Sequence, residues 1–144
     1  MNIASLLTTK GSTVVTIRSD QTVRHALQLL ARHNIGALVA VDERGKPVGI
    51  LSERDVVREA ARNEVVFSQP VGSIMTREVV IGVPQDDLLS VGHTMTEKRI
   101  RHLPVMDGDR LIGIVSIGDV VKAQRDQYQG EIETLQTQIL DNPV

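Results

Sequence analysis

Two stretches of this chain place a serine and an aspartate three residues apart, just after an apolar run. Gly49-Ile50-Leu51-Ser52-Glu53-Arg54-Asp55-Val56-Val57 is answered by Gly113-Ile114-Val115-Ser116-Ile117-Gly118-Asp119-Val120-Val121, and six of the nine positions are identical. Ser-x-x-Asp ahead of an apolar helix is first a capping box. The hydroxyl accepts the backbone N–H three residues on, and the carboxylate reaches back and suits the helix dipole. The same helix start presents unpaired N–H groups to a small anion. Spacing alone is consistent with a repeated cap and with a repeated ligand position.

Residues outside the motif make the two copies unequal. Arg101 and His102, with Lys98 and Arg99 just before them, precede the middle apolar run of the second half. Ile35-Gly36-Ala37 stands at the matching place in the first half and carries no cation. A basic helix end satisfies the dipole, and arginine is also a bidentate phosphate partner. Other chemistries find no support. His25, His33, His93 and His102 show no His-Glu-x-x-His spacing, and neither a Walker loop nor a Gly-x-Ser-x-Gly elbow occurs. The chain has no cysteine, which excludes disulfides, thiol catalysis and thiolate metal sites.

The elements that must position these residues repeat as well. Thr13-Val14-Val15-Thr16-Ile17 is a β-branched run. Val23, Ala26, Leu27, Leu30 and Ala31 then mark one face of a helix capped by Asp20 or Thr22. Ala37–Val41 reads as a buried strand, residues 42–47 as a turn, Val48–Leu51 as the returning strand, and Ser52 starts a second helix. The second half gives Val79-Val80-Ile81, a helix through Leu88, Val91 and Met95, the strand Leu103–Met106, the turn Asp107-Gly108-Asp109, the strand Leu111–Val115 and a last helix from Ser116. The offset between halves is 65 residues early and 64 late, the change falling in the hairpin turn, where length varies most cheaply. Each half is therefore β-α-β-β-α. At roughly 60 residues neither half buries much core alone, so the two should pack together with pseudo-twofold symmetry. The expected divisions are 1–62 for the first repeat with its N-terminal segment, 63–78 for a linker, 79–125 for the second repeat and 126–144 for a helical extension. In that extension Tyr128, Ile132, Leu135 and Ile139 form a stripe spaced 4, 3 and 4, which suits either packing on the chain's own body or a dimer contact.

Composition fits this plan. The 144 residues are 41% hydrophobic and 24% charged, with a net charge of −2, so no basic field gathers nucleic acid or anionic lipid. Phe67 and Tyr128 are the only aromatic residues, too few for stacking single strands. No apolar run approaches a membrane span, and the first ten residues lack a basic segment of signal-peptide type. A cytoplasmic location is the expectation.

Paired β-α-β-β-α units carrying Gly-Ile-[Leu/Val]-Ser-x-x-Asp-Val-Val resemble tandem cystathionine-β-synthase (CBS) domains, the Bateman module, over about residues 2–125. Arg101-His102-Leu103-Pro104-Val105 is also similar to that family's middle strand. The resemblance implies an α/β (α+β) fold of two CBS repeats and a long C-terminal helix, as in stand-alone CBS-pair proteins. It implies a non-enzymatic regulatory or energy-sensing module that binds AMP, ADP or ATP, NAD(H) or S-adenosylmethionine, forms a homodimer and acts on a separate protein target. It further implies that Asp55 and Asp119 grip ribose hydroxyls, with Ser52 and Ser116 assisting. On this basis Arg101 and His102 are expected to hold the phosphate of AMP at the Asp119 site. The Asp55 site, with Arg54 and the small Gly36 and Ala37, is expected to suit a bulkier dinucleotide. Thr16 and Ile17, and Val80 and Ile81, are the candidates to meet the bases through backbone groups. A nucleotide-independent interaction scaffold, with the Ser/Asp pairs acting only as caps, is the alternative.

Overall fold

The computed structural model describes residues 1–141, so residues 142–144 of the expected extension lie outside the described residues. Helix α1 (Ile3–Lys10) precedes strand β1 (Thr16–Arg18), helix α2 (Val23–His33), strands β2 (Ala37–Val41) and β3 (Pro47–Ser52) and helix α3 (Glu53–Ala60). Two 3₁₀ turns at Val66–Ser68 and Val71–Ser73 fill the linker. Helix α4 (Leu88–Lys98), strands β4 (His102–Asp107) and β5 (Arg110–Ser116) and helix α5 (Ile117–Asp141) complete the fold.

The first sheet has the order β1-β2-β3, with β1 parallel to β2 and β2 antiparallel to β3. The second sheet pairs only β4 and β5, so the strand expected at Val79-Val80-Ile81 does not form. One parallel bridge, Gly82 to Val105, marks where it would have run. Gly82 N–H donates to the Pro104 carbonyl at 2.8 Å, and Met106 N–H donates to the Gly82 carbonyl at 2.9 Å. At that register the next bond toward the N-terminus needs an amide proton on residue 104, aimed at the Val80 carbonyl. Proline has none, and the ladder stops after one residue.

The local signals are otherwise obeyed. Thr22 caps α2 by accepting from His25 N–H at 3.1 Å, and Asp87 caps α4 by accepting from Ser90 N–H at 3.1 Å. Both helices end on a left-handed residue, Asn34 (φ 51°) and Arg99 (φ 56°), at matching places in the two units. Asparagine tolerates that conformation; an arginine there is uncommon.

Each unit has its own aliphatic core, and each core is closed by a segment that precedes the other unit. Val66, Val71 and Met75 of the linker pack with Ile17, Val23, Leu38, Leu51 and Val56 of the first unit. Ile3, Leu6 and Leu7 of α1 pack with Leu88, Val91, Met95, Leu103, Val105 and Val115 of the second. The N-terminal segment, grouped with the first repeat by its position in the chain, thus belongs to the second unit's core. Backbone bonds pin it there, Ile3 N–H to the Asp86 carbonyl at 3.0 Å and Ala4 N–H to that of Pro84 at 2.9 Å. Two glycines make the exchange possible. A Cβ on Gly49 would lie 2.6 Å from Met75 Sδ, and one on Gly113 would lie 2.7 Å from a Leu7 methyl. No described helix is long and apolar enough to cross a membrane.

Along α5 the stripe is uncovered by the chain itself: Tyr128, Ile132, Leu135 and Ile139 are all more than half exposed, Ile139 to 72%. Packing of this tail on its own body is therefore not what the fold shows.

Candidate functional site

The Ser-x-x-Asp pairs form both capping boxes. Asp55 N–H donates to Ser52 Oγ at 3.2 Å while Ser52 N–H donates to Asp55 Oδ2 at 2.9 Å. Asp119 N–H donates to Ser116 Oγ at 3.0 Å while Ser116 N–H donates to Asp119 Oδ2 at 2.8 Å. Each aspartate is thereby fixed at the first turn of a helix, one oxygen bound and the carboxylate turned along the end of the preceding strand.

The two environments then diverge. Asp55 lines a cleft of about 630 Å³ between the units. Ser52, Glu53, Arg54 and Arg58 of the first unit share its wall with Thr76 of the linker and with Arg99, Arg101, His102 and Ser116 of the second. Asp119 instead accepts the Lys10 ammonium on Oδ2 at 2.5 Å, and the same ammonium donates to the Ile114 carbonyl at 2.6 Å.

The cleft brings Arg101 and His102 beside both motifs, since Ser116 and Ile117 share its wall with Ser52 and Asp55. Arg101 and His102 stand in the wall of the Ser52/Asp55 cleft, so that site is not poor in cations. The reason lies in how β2 and β4 meet. The ends of the two strands approach across the unit interface, where Gly36, just ahead of β2, has the side chain of His102, the first residue of β4, against it: a Cβ at position 36 would sit 3.3 Å from Nε2 and 3.5 Å from Glu53 Oε1. The loop ahead of β4 thus shares a cleft with the first unit's helix start. Backbone bonds also join each such loop to its own unit's helix start, Glu53 N–H to the Gly36 carbonyl and Ile117 N–H to the Arg101 carbonyl, each at 2.9 Å.

His102 lies among charges of both signs. Burial holds its imidazole below the ordinary 6.5; Lys10 and Arg101 push the same way, and Glu53 and Asp119 oppose them. For Asp119 burial pushes the carboxyl up. The hydrogen bonds from Lys10 and from the Ser116 backbone outweigh that and hold it below the ordinary carboxylate value.

The other expected contacts scatter. Ile17, Ala37 and Leu103 are buried in the strands, and Thr16 is exposed on β1. Val80 and Leu103 border a depression with Asp86, Asp87 and Ser90. Ile81 and Pro104 line a second inter-unit cleft, at the hairpin end, with Arg44, Lys46 and Arg77. Four residues beside the aspartates were not singled out as site residues: Lys10, Arg58, Thr76 and Arg99. Lining up the halves at the 65-residue offset does carry a signal for two of them, since Lys10-Gly11 then falls on Met75-Thr76.

The CBS domain family model matches residues 5–62 and 71–126. The chain belongs to the CBS-domain family. Its two CBS units are the two halves described above. It is 38% identical over 126 residues to the mitochondrial CBS domain-containing protein CBSX3 of Arabidopsis thaliana, covering 84% of this chain and 61% of that one. The chain thus spans about three fifths of that plant relative. The CBS-domain containing protein ATU1752 of Agrobacterium tumefaciens superposes with a TM-score of 0.82 at 39% identity, over 86% of this chain and 99% of that one. The CBS domain pair of protein MJ0100, solved in complex with 5-methylthioadenosine and S-adenosyl-L-methionine, superposes with a TM-score of 0.79 at 28% identity, over 88% of this chain and 98% of that one.

Proposed function

We propose that this CBS pair is a non-enzymatic regulatory module that binds one adenosine ligand in the Asp55 cleft and uses it to set the angle between its units. The observation that carries the reading is the composition of that cleft. Asp55 brings a carboxylate with only one oxygen engaged among the described residues, beside Arg54 and Arg58 on its own unit and Arg99 and Arg101 on the other. A carboxylate accepts the two hydroxyls of a ribose, and arginines pair bidentately with phosphate. The volume is within the range of small-molecule sites. The adenosine ligands of the MJ0100 pair support the same chemistry.

With ribose on one unit and phosphate on the other, the ligand binds one inter-unit arrangement better than others, which is what a population shift requires. Several guanidinium groups favour AMP, ADP, ATP or NAD(H) over a neutral nucleoside. A separate protein would read the resulting shape. The uncovered α5 stripe, at heptad-like spacing, suits a second copy of the chain, giving a homodimer.

Titration calorimetry with AMP, ATP, NADH, S-adenosylmethionine and 5-methylthioadenosine tests the reading. Asp55→Ala should abolish binding of every ligand that the wild type takes, whereas Arg101→Ala should weaken the phosphorylated ones selectively. A melting temperature unmoved by all five would favour the scaffold alternative, because a ligand of the native state must stabilise it, by about 2.7 kcal/mol at a hundred times its Kd.

A further inference from the structure

Under the pseudo-twofold relation the carbonyls of Ile50 and Ile114 are equivalent, yet they are satisfied differently. The Ile50 carbonyl accepts from Thr76 N–H at 2.9 Å, a backbone bond that leaves the adjoining Asp55 carboxylate open to the cleft. The Ile114 carbonyl accepts from the Lys10 ammonium, which spans from there onto Asp119. Lys10 is the last residue of α1, whose inner face, Ile3, Leu6 and Leu7, is sealed into the second core. Gly11 (φ 98°) closes the helix immediately after it, its N–H donating to the Leu7 carbonyl at 2.8 Å. The ammonium is therefore delivered by an anchored element, and the paired side chains are only 32% and 24% exposed.

We propose that Lys10 is the specificity-determining residue that closes the second ribose position, so that the chain takes one adenosine ligand where its two Ser-x-x-Asp motifs suggest two. This rests on the reading of the Asp55 cleft given above. Lys10 shares Asp119 Oδ2 with the Ser116 amide and also holds the neighbouring carbonyl, so a diol that takes both carboxylate oxygens must displace the ammonium. Among the described residues no cation bonds Asp55, whose Oδ2 accepts only the Ser52 N–H. The asymmetry of the pair then originates in the segment ahead of the first unit, outside both repeated motifs.

Equilibrium dialysis with 5-methylthioadenosine tests this, since the probe has the ribose diol but no phosphate for Lys10 to attract. The wild type and Lys10→Arg should each bind one equivalent per chain. Lys10→Met should bind two, with the added site tightened at least about tenfold, which corresponds to 1.4 kcal/mol. Lys10→Met combined with Asp119→Asn should return to one. The proposal is overturned by two equivalents on the wild type with the second affinity moving less than about twofold in Lys10→Met. It is equally overturned by one equivalent on a Lys10→Met protein whose circular dichroism matches the wild type. Binding to Lys10→Met alone, lost with Asp119→Asn, supports the closure by Lys10 and sinks the Asp55 reading. Binding by no variant overturns both. If Lys10→Met does not fold, Lys10→Gln serves in its place with the same expected outcomes.

Discussion

Gly36 and His102 face each other across the interface of the two CBS units, with Nε2 3.3 Å from the place where a Cβ on residue 36 would stand. The absence of a side chain at 36 is what lets an imidazole from the second unit enter the first unit's cleft. Gly36→Val should push His102 aside and narrow that cleft. Gly36 has no left-handed backbone to protect, so the fold should survive with a loss on the order of 1–3 kcal/mol from crowding. Calorimetry should show affinity for adenosine ligands falling at least about tenfold, a change of 1.4 kcal/mol. Unchanged affinity would remove His102 and Gly36 from the site.

His102 should make nucleotide binding depend on pH. Its imidazole is held below 6.5, chiefly by burial, so the free protein carries it neutral at pH 7. A phosphate brought beside it favours the charged form and raises its pKa. Binding of AMP should then take up a fraction of a proton near pH 6.5, and affinity should rise as pH falls through that region. Calorimetry in buffers of different ionisation enthalpy measures the proton uptake, which His102→Gln should remove.

The Lys10–Asp119 pair should appear in acid stability. The carboxyl is held below its ordinary 3.8 in the fold, so the unfolded chain binds the proton more readily. The pair's contribution is thus fully present above the unfolded value and lost as pH falls through the folded one. Both side chains are partly exposed, so this contribution stays near the 1 kcal/mol expected of such pairs. Urea midpoints of the wild type and Lys10→Met should therefore differ at pH 6 and converge toward pH 3.

The α5 stripe should govern assembly. Leu135 is 58% exposed within the chain, so Leu135→Asp removes no internal packing and should leave the melting temperature of the units nearly unchanged. Sedimentation equilibrium should show the homodimer weakened toward monomer. A dimer of undiminished affinity would mean that the two copies meet elsewhere.

Much of the architecture was legible because the pattern was stated twice. The helix stripes, turn glycines and Ser-x-x-Asp caps all depend on neighbours in sequence, and all formed. Val79-Val80-Ile81 reads as a strand by composition, but its pairing depends on an amide that Pro104, two dozen residues away, does not possess. Ile3, Leu6 and Leu7 already carry helical spacing, yet nothing local says which core they enter. The same limit governs the site. That Asp55 can accept a ribose diol follows from its own chemistry, but that Arg101 shares its cleft follows from how the two units meet. Lys10 was legible only by overlaying the halves, where it falls against Met75 and breaks the symmetry.

The exchanged closing segments tie the folding of each unit to the other. A single unit carrying its own leading segment could not cover its own core, because that segment reaches only a neighbour. Two identical half-length chains would have to trade these segments to fold at all. Within one chain the trade is intramolecular and occurs at high effective concentration. Cutting the chain within residues 63–70 should give two fragments that fold only when mixed.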